Sequence, residues 1–170
     1  AATDIDGSPP ATDSTTFDLV DSGSTTVVTF ETGPYVYTGS AFTATAEVTG
    51  AGGLNESVSV VYSGDCTNVT VTNGCTATAT FAGDAGHAGS SDTQSITITQ
   101  APQTITFDFV GDKTVGEGSF ELVATSGSVL SVTFMSLTPS VCSVSGTTVT
   151  ILAAGTCTIQ ADQAGDVNHA

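Results

Sequence analysis

Side chains that could do chemistry occur in a few short stretches of this sequence, and the most suggestive is His87, Ser90, Ser91 and Asp92. A hydrolytic triad needs a nucleophile, a base and an orienting carboxylate that converge from separate elements. Four residues crowded into one loop do not meet that need, and the chain has no G-x-S-x-G turn. The stretch therefore predicts a loop and not a catalytic centre, and we expect no enzymatic activity.

An acidic stretch near the N-terminus is the second candidate site. Asp4 and Asp6 alternate before Gly7, and Asp13 follows nearby. Carboxylate oxygens are the ligands that calcium prefers, and calcium loops of the EF-hand type begin with such spacing. The stretch lacks the later glutamate and the length of such a loop. Asp4, Asp6 and Asp13 are thus candidate calcium ligands, with a solvated turn as the alternative, and no cofactor is otherwise required.

The two histidines occupy one repeated position. His87 follows Asp84 in AGDAGHA, and His169 follows Asp166 in AGDVNHA. Gly-Asp is common in turns. A position that recurs in this way indicates a structural turn and not a transition-metal site.

The four cysteines form two local pairs. Cys66 and Cys75 flank TNVTVTNG, and Cys142 and Cys157 flank SVSGTTVTILAAGT. Neither pair has the C-x-x-C spacing of a zinc site. Each pair predicts a disulfide made in an oxidising compartment, and hence an extracellular protein, secreted or at the cell surface. Closing a loop of about 15 residues is worth about 3 kcal/mol in the chain-entropy treatment.

The charge of the chain excludes some partners. One basic residue, Lys113, stands against 17 acidic ones, and the net charge is -16. Such a chain would be repelled by nucleic acid and by anionic membranes, because phosphate binding depends on Lys and Arg. No apolar run is long enough to insert into a bilayer. Lys113 itself lies in the polar stretch GDKTVGEG, which predicts an exposed side chain.

Alternation of apolar and polar residues recurs along the chain and predicts an all-β protein. The first series of predicted strands comprises residues 25–30, 42–48, 57–62, 76–81 and 94–99. The second series follows the proline break at 100–103 and comprises residues 104–109, 120–124, 129–134, 141–144, 147–152 and 156–160. Short strands at this spacing are typical of immunoglobulin-like sandwiches.

Several phrases resemble the bacterial immunoglobulin-like repeats of very long secreted and surface proteins. The most specific are TPSVCSVSG, LAAGTCTI and AGDVNHA in the second half. The first half resembles a related repeat type through YTGSAFTATAEVTGAGGL, YSGDCTNVTVTNGCTATATFAGD and HAGSSDTQSITIT. The resemblance implies two tandem immunoglobulin-like β-sandwiches, residues 21–100 and 101–170. It is specific for fold and weak for function.

In that family, the phrase with the histidine continues through a loop into the last strand of the sandwich. The first copy does so, as AGDAGHAGSSDTQSITIT, whereas no strand follows AGDVNHA. When residues 1–20 are written after Ala170, the phrase AGDVNHA is followed by a loop and an alternating strand, as in the first copy. We therefore expect residues 1–20 to complete the second sandwich of a neighbouring copy.

Three residues mark the expected complementing strand: Thr15, Phe17 and Leu19. Phe17 and Leu19 would occupy the inward positions that Ile96 and Ile98 hold in the first sandwich. The neighbouring copy is either covalently continuous in a longer repeat protein or a separate subunit that donates its strand.

These features predict a structural unit of an extracellular bacterial filament or giant surface protein. Its partners are copies of itself, joined head to tail by strand complementation or by covalent tandem repetition. The alternative is an adhesin or carbohydrate-binding module, with glycan or cell-surface contacts. That alternative is weakened because the chain has no Trp and only 6% aromatic residues, whereas sugar sites usually use aromatic faces.

Overall fold

The structure is a computed structural model that describes residues 15–16 and 20–170. Apart from the short 3-10 turn Ala51–Gly53, every regular element in these ranges is a β-strand. No helix in the same ranges is long and apolar enough to cross a membrane. The predicted all-β class is confirmed.

The first half of the chain, residues 20–100, contains six strands. They are β1 (Ser24–Phe30), β2 (Ala44–Gly50), β3 (Asn55–Ser57), β4 (Val60–Gly64), β5 (Cys75–Phe81) and β6 (Ser90–Ile96). They form two antiparallel sheets with the strand orders β1-β2-β3 and β4-β5-β6. Ser24 pairs with Gly50 and Phe30 with Ala44, so β1 and β2 pair along their whole length.

The two sheets of the first half share one core. Alternation along β1 buries Val28 and Phe30, and alternation along β5 buries Cys75, Ala77 and Ala79. The complete cluster is Val28, Phe30, Ala46, Cys75, Ala77, Ala79, Ile96 and Ile98. This two-layered arrangement is consistent with a β-sandwich.

The second half, residues 101–170, contains seven shorter strands. They are β7 (Ile105–Phe107), β8 (Phe120–Glu121), β9 (Ala124–Ser126), β10 (Thr133–Ser136), β11 (Cys142–Ser145), β12 (Thr148–Ile151) and β13 (Ile159–Asp162). They form three small sheets, β7-β9, β8-β12-β11 and β10-β13.

The core of the second half is small. Its buried members are Leu122, Cys142 and Val149, three residues against eight in the first half. Phe107 and Phe120 pack against this cluster but stay partly exposed. Aromatic side chains at the edge of so small a cluster indicate that the second half is less completely closed than the first.

Two predicted strands are each divided in the structure because the chain changes sheets. The predicted strand 120–124 is β8, which pairs with β12, followed by β9, which pairs with β7. The predicted strand 57–62 begins at the end of β3, which pairs with β2, and continues as β4, which pairs with β5. Period-two alternation persists through such a crossing, so it does not reveal the change of partner.

The limits of other strands shift as well, and two of them begin four residues away from the predicted start. The predicted strand 129–134 begins only at Thr133, because the Val129 amide donates to the Ser126 carbonyl at 3.2 Å and closes a turn. The predicted strand 94–99 begins earlier, at Ser90, and its sheet pairing ends at Ile96.

Both disulfides are present. Cys66 is bonded to Cys75 and Cys142 to Cys157, with sequence separations of 9 and 15 residues. Cys75 and Cys142 are 0% and 1% exposed, so each bond ties a loop to a buried position in its own core. Two disulfides in a chain of this size fit an extracellular location.

We expect Ile98→Ala to lower the free energy of unfolding by about 2–5 kcal/mol, because the Ile98 side chain is 0% exposed and its removal leaves a cavity. Val61→Ala is the control, since Val61 is 69% exposed on β4. It should change the free energy by less than about 0.5 kcal/mol. Guanidinium unfolding without reductant measures both values. Equal effects would contradict the assignment of Ile98 to the core.

Candidate functional site

The serine and aspartate of the apparent triad have structural partners. Ser90 Oγ lies 2.7 Å from Thr26 Oγ1 and 2.7 Å from Ser24 Oγ, which donates to it. The Val28 amide donates to Asp92 Oδ2 at 2.8 Å and holds the pKa of Asp92 below its usual range. These bonds connect β6 to β1, across the two sheets of the first half. Ser90 and Asp92 therefore hold strands β6 and β1 together through hydrogen bonds.

Each AGD phrase forms a turn that its histidine closes. His87 Nδ1 lies 2.9 Å from Asp84 Oδ1, and His169 Nδ1 lies 2.9 Å from Asp166 Oδ1. The amide of each aspartate donates to the carbonyl of its histidine at 3.0 Å. We call these the first turn (Asp84 to His87) and the second turn (Asp166 to His169). Their matching geometry gives both histidines the structural role that their repeated position predicts.

Hydrogen bonds favour the charged forms of both side chains in the first turn. The Gly86 amide donates to Asp84 Oδ1 at 2.8 Å and, with His87, lowers the pKa of Asp84. The Ala51 carbonyl lies 2.9 Å from His87 Nε2 and, with Asp84, raises the pKa of His87. Both ring nitrogens of a protonated His87 are therefore used as donors.

Each turn also holds the segment that leads into the first strand of its own half. Ser22 forms a parallel bridge with His87, and its amide donates to the first turn at 2.9 Å. Ala101 forms a parallel bridge with His169, and its amide donates to the second turn at 2.9 Å. The two turns are thus equivalent clamps.

The second turn has a further role, because it joins the two halves. The Val69 amide donates to Asn168 Oδ1 at 3.0 Å, and Asn168 Nδ2 donates to Asn68 Oδ1 at 3.1 Å. The His169 ring packs edge-on against Tyr37, with 5.2 Å between ring centroids. These contacts fix the turn against the end of the first half that carries Tyr37 and the loop between Cys66 and Cys75.

Among the residues that the structure describes, one edge of strand β13 is free. The counterpart of β13 in the first half is β5, since each of these strands begins at or just after the second cysteine of a disulfide and leads into one of the two turns. Strand β5 pairs with β4 on one side and β6 on the other, whereas the described pairing of β13 is with β10 alone. In the part of the chain that the structure describes, no strand occupies the position of β6 in the second half.

A cleft of about 860 Å³ lies beside this free edge. Residues 107–115 form one wall, and Val149, Cys157 and Ile159 line the other side. Phe109 on the first wall is 94% exposed and Val115 is 54% exposed. The cleft therefore combines unpaired backbone with apolar side chains that water contacts.

In the first half, the chain itself fills the corresponding space. Beyond β6, Thr99 forms a parallel bridge with Val36, and the Tyr37 amide donates to the Thr99 carbonyl at 2.9 Å. The side chain of Ile98, between these bonds and β6, is completely buried. Residues 90–99 thus close the first half between β5 and the segment around Val36.

Lys113 lies on the wall of the cleft. Its Nζ is 3.5 Å from Glu117 Oε1 and 5.2 Å from the centroid of the Phe120 ring. The Thr114 amide and then Lys113 lower the pKa of Glu117. The Lys113 side chain is exposed, as the sequence predicts. Its ammonium group also lies over the Phe120 ring, a contact that the polar stretch GDKTVGEG does not indicate.

Several predicted site residues lie outside the described residues: the calcium candidates Asp4, Asp6 and Asp13, and Phe17 and Leu19 of the complementing strand. Thr15 is described, and it is exposed and in no strand. Within residues 15–16 and 20–170, no three His, Cys, Asp or Glu side chains are grouped for a metal ion.

Sequence analysis predicted that the second half lacks its last strand, and it named Lys113, Cys142 and Cys157 for other reasons. It did not predict the cleft or apolar lining residues such as Phe107, Val110 and Ile159. The signal that could have found the wall is the apolar pair Phe109 and Val110, which breaks the alternation of the preceding residues.

Searches of protein-family models, curated proteins and solved structures return no significant match to this chain. The resemblance to bacterial immunoglobulin-like repeats therefore stays a prediction.

We expect His87 to titrate above its ordinary pKa of about 6.5 and Asp84→Asn to lower that pKa, because the substitution removes a carboxylate bonded to the ring. The contribution of His87 to the folded turn is full below about pH 6.5 and is lost as the pH rises through the raised pKa. That of Asp84 is present above about pH 3.9 and is lost as the pH falls through its lowered pKa.

NMR titration of the imidazole carbon-bound protons measures this effect. Asp162→Asn, on β13, serves as the matched control. An unchanged His87 titration in the Asp84→Asn variant would show that the carboxylate does not stabilise the protonated ring.

Proposed function

We propose that this protein is a structural unit of an extracellular filament or giant surface protein. In this proposal the two halves are tandem immunoglobulin-like sandwiches, and copies are arranged head to tail. The observation that carries the proposal is the free edge of β13 beside a cleft that exposes apolar side chains. A strand added from a neighbouring copy would bond to the free backbone groups of β13 and would cover the apolar side chains of the cleft.

The backbone of β13 is oriented to receive a strand. The Leu137 amide donates to the Thr158 carbonyl at 2.9 Å, so Thr158 faces β10. Because hydrogen-bonding direction alternates along a strand, the peptide groups of Ile159 and Ala161 face the opposite, free side. A free edge of this type is normally covered in folded proteins, and an added strand covers it with backbone bonds.

The segment marked by Thr15, Phe17 and Leu19 of a neighbouring copy has the chemistry of the occupant. Its apolar side chains alternate with polar ones, so one face could enter the cleft while the other stays in water. The aliphatic and aromatic lining of the cleft, including Val149 and Phe120, suits Phe17 and Leu19. In this proposal, residues 1–20 of each chain complete the second half of a neighbouring copy.

The alternative function is recognition of a small ligand, such as a glycan, by an adhesin. The observation that favours it is the cleft volume of about 860 Å³, which is within the range of small-molecule pockets. Under this alternative the chain is a monomer that binds a ligand in the cleft. Whether the purified chain is a polymer or a monomer therefore distinguishes the two functions.

The purified 170-residue chain should form polymers that grow with protein concentration. Light scattering after size-exclusion chromatography measures the mass. Boiling in formic acid should reduce the polymer to a chain of 16.8 kDa, because it breaks noncovalent strand pairing. A monomer at every concentration, with a sugar bound in the cleft, would instead establish the adhesin function.

Native material treated in the same way with strong reductant distinguishes the two forms of head-to-tail arrangement. A band near 16.8 kDa indicates separate subunits. A ladder, or a species of hundreds of kDa, indicates a covalent tandem array.

Salt should promote assembly of the purified chain, because each copy carries a net charge of -16. Raising the ionic strength from about 0.01 M to about 0.15 M shortens the Debye length from about 30 Å to about 8 Å and weakens repulsion between copies. We expect a larger polymer fraction at the higher ionic strength, measured by light scattering at equal protein concentration. Sucrose at equal osmolality is the control. Dissociation by salt would contradict repulsion as the barrier to assembly.

A further inference from the structure

We infer that the joint between successive copies reproduces the joint between the two halves of one chain. The first turn of one copy then docks on the cleft end of the preceding copy, as the second turn docks on the first half. This inference rests on the proposed function and deepens it, because it states which surfaces meet and in what register.

The distance along the chain from the core-filling residue to the clamp supports this inference. In the first half, the buried Ile98 precedes Ala101, which the second turn holds, by three residues. Leu19 precedes Ser22, which the first turn holds, by the same three residues. A strand that ends at Ser22 therefore reaches the clamp in the register that the internal strand has at Ala101.

The same alignment gives Asp13 a role. It places Phe17 with Ile96 and Asp13 with Asp92. Asp92 accepts a hydrogen bond from the Val28 amide in the facing sheet at 2.8 Å. A carboxylate at Asp13 would connect the added strand to the facing sheet in the same way. This accounts for Asp13 without a calcium ion.

The receiving end of the second half has the matching positions. Phe42 and Phe120 both pack against the core of their own half, and Tyr37 and Val115 each precede these residues by five positions. Tyr37 contacts the His169 ring at the internal joint. Val115 is 54% exposed and stands where the histidine of an incoming first turn would lie.

Two adjacent substitutions that introduce the same charge test the register. In the inferred joint Leu19 faces the core like Ile98, whereas Val20 faces water like the exposed Thr99. Leu19→Asp should raise the concentration needed for half-maximal polymerisation roughly 30-fold or more, because it buries an unpaired carboxylate. Val20→Asp should change it less than about threefold. Light scattering of the full-length chains measures both.

The two variants test the inferred register, and the wild-type chain tests the proposed function. Stronger loss with Val20→Asp than with Leu19→Asp overturns the register while strand donation remains, since a slip of one residue exchanges the two faces. Equal effects of the two variants also overturn it. A wild-type chain that never polymerises overturns the proposed function itself.

Cross-linking tests the docking of the turn independently of the register. Gly86→Cys and Val115→Cys are placed in separate chains, which are mixed and treated with a short bis-maleimide. A Cβ at Gly86 meets only Asp84 Oδ1, at 3.7 Å, so the substitution is tolerated. We expect a product of twice the chain mass. Val61→Cys, on exposed β4, replaces Val115→Cys in the control and should give none. Polymers that form without the Gly86–Val115 product would overturn the inferred joint.

Discussion

The peptide groups on the free side of β13 set the constraint on which the second half depends. Strand β10 satisfies one side of β13, and Ile159 and Ala161 present their backbone groups to the other. Backbone donors and acceptors next to the cleft must bond to water or to another strand. Water satisfies the backbone but leaves the cleft lining exposed, whereas a strand with alternating side chains satisfies both. The cleft and the free edge thus belong to one opening between β13 and residues 107–115.

In the first half, the chain itself closes the equivalent opening beside β5. There, residues 90–99 pair with β5 and then with the segment around Val36, and Ile96 and Ile98 complete a cluster of eight buried residues. The second half has three buried residues and a disulfide that ties Cys142 to Cys157. In the proposed function, the stability of the second half is linked to occupancy of its cleft, because a bound strand stabilises only the folded state.

The Asp–His turns connect the start of each half to the contact between the two halves. Each turn is closed by a carboxylate–imidazole contact of 2.9 Å and holds the chain just before a first strand. The second turn also touches Val69 and Tyr37 across the internal joint, so one short motif both sets the start of a half and orients it on the preceding half. In a chain with a net charge of -16, such specific contacts act against general repulsion.

Local sequence patterns predict most of the strands, the cysteine pairs and the equivalence of His87 and His169, because alternation, short loops and repeated phrases depend on residues close together in the chain. Tertiary structure decided which sheet each strand joins. Alternation shows which side chains face a core but not which strand pairs alongside, so the division of residues 120–126 between β8 and β9 was not predictable. The packing of Lys113 on Phe120 and the cleft were likewise decided there, since they depend on segments that only folding brings together.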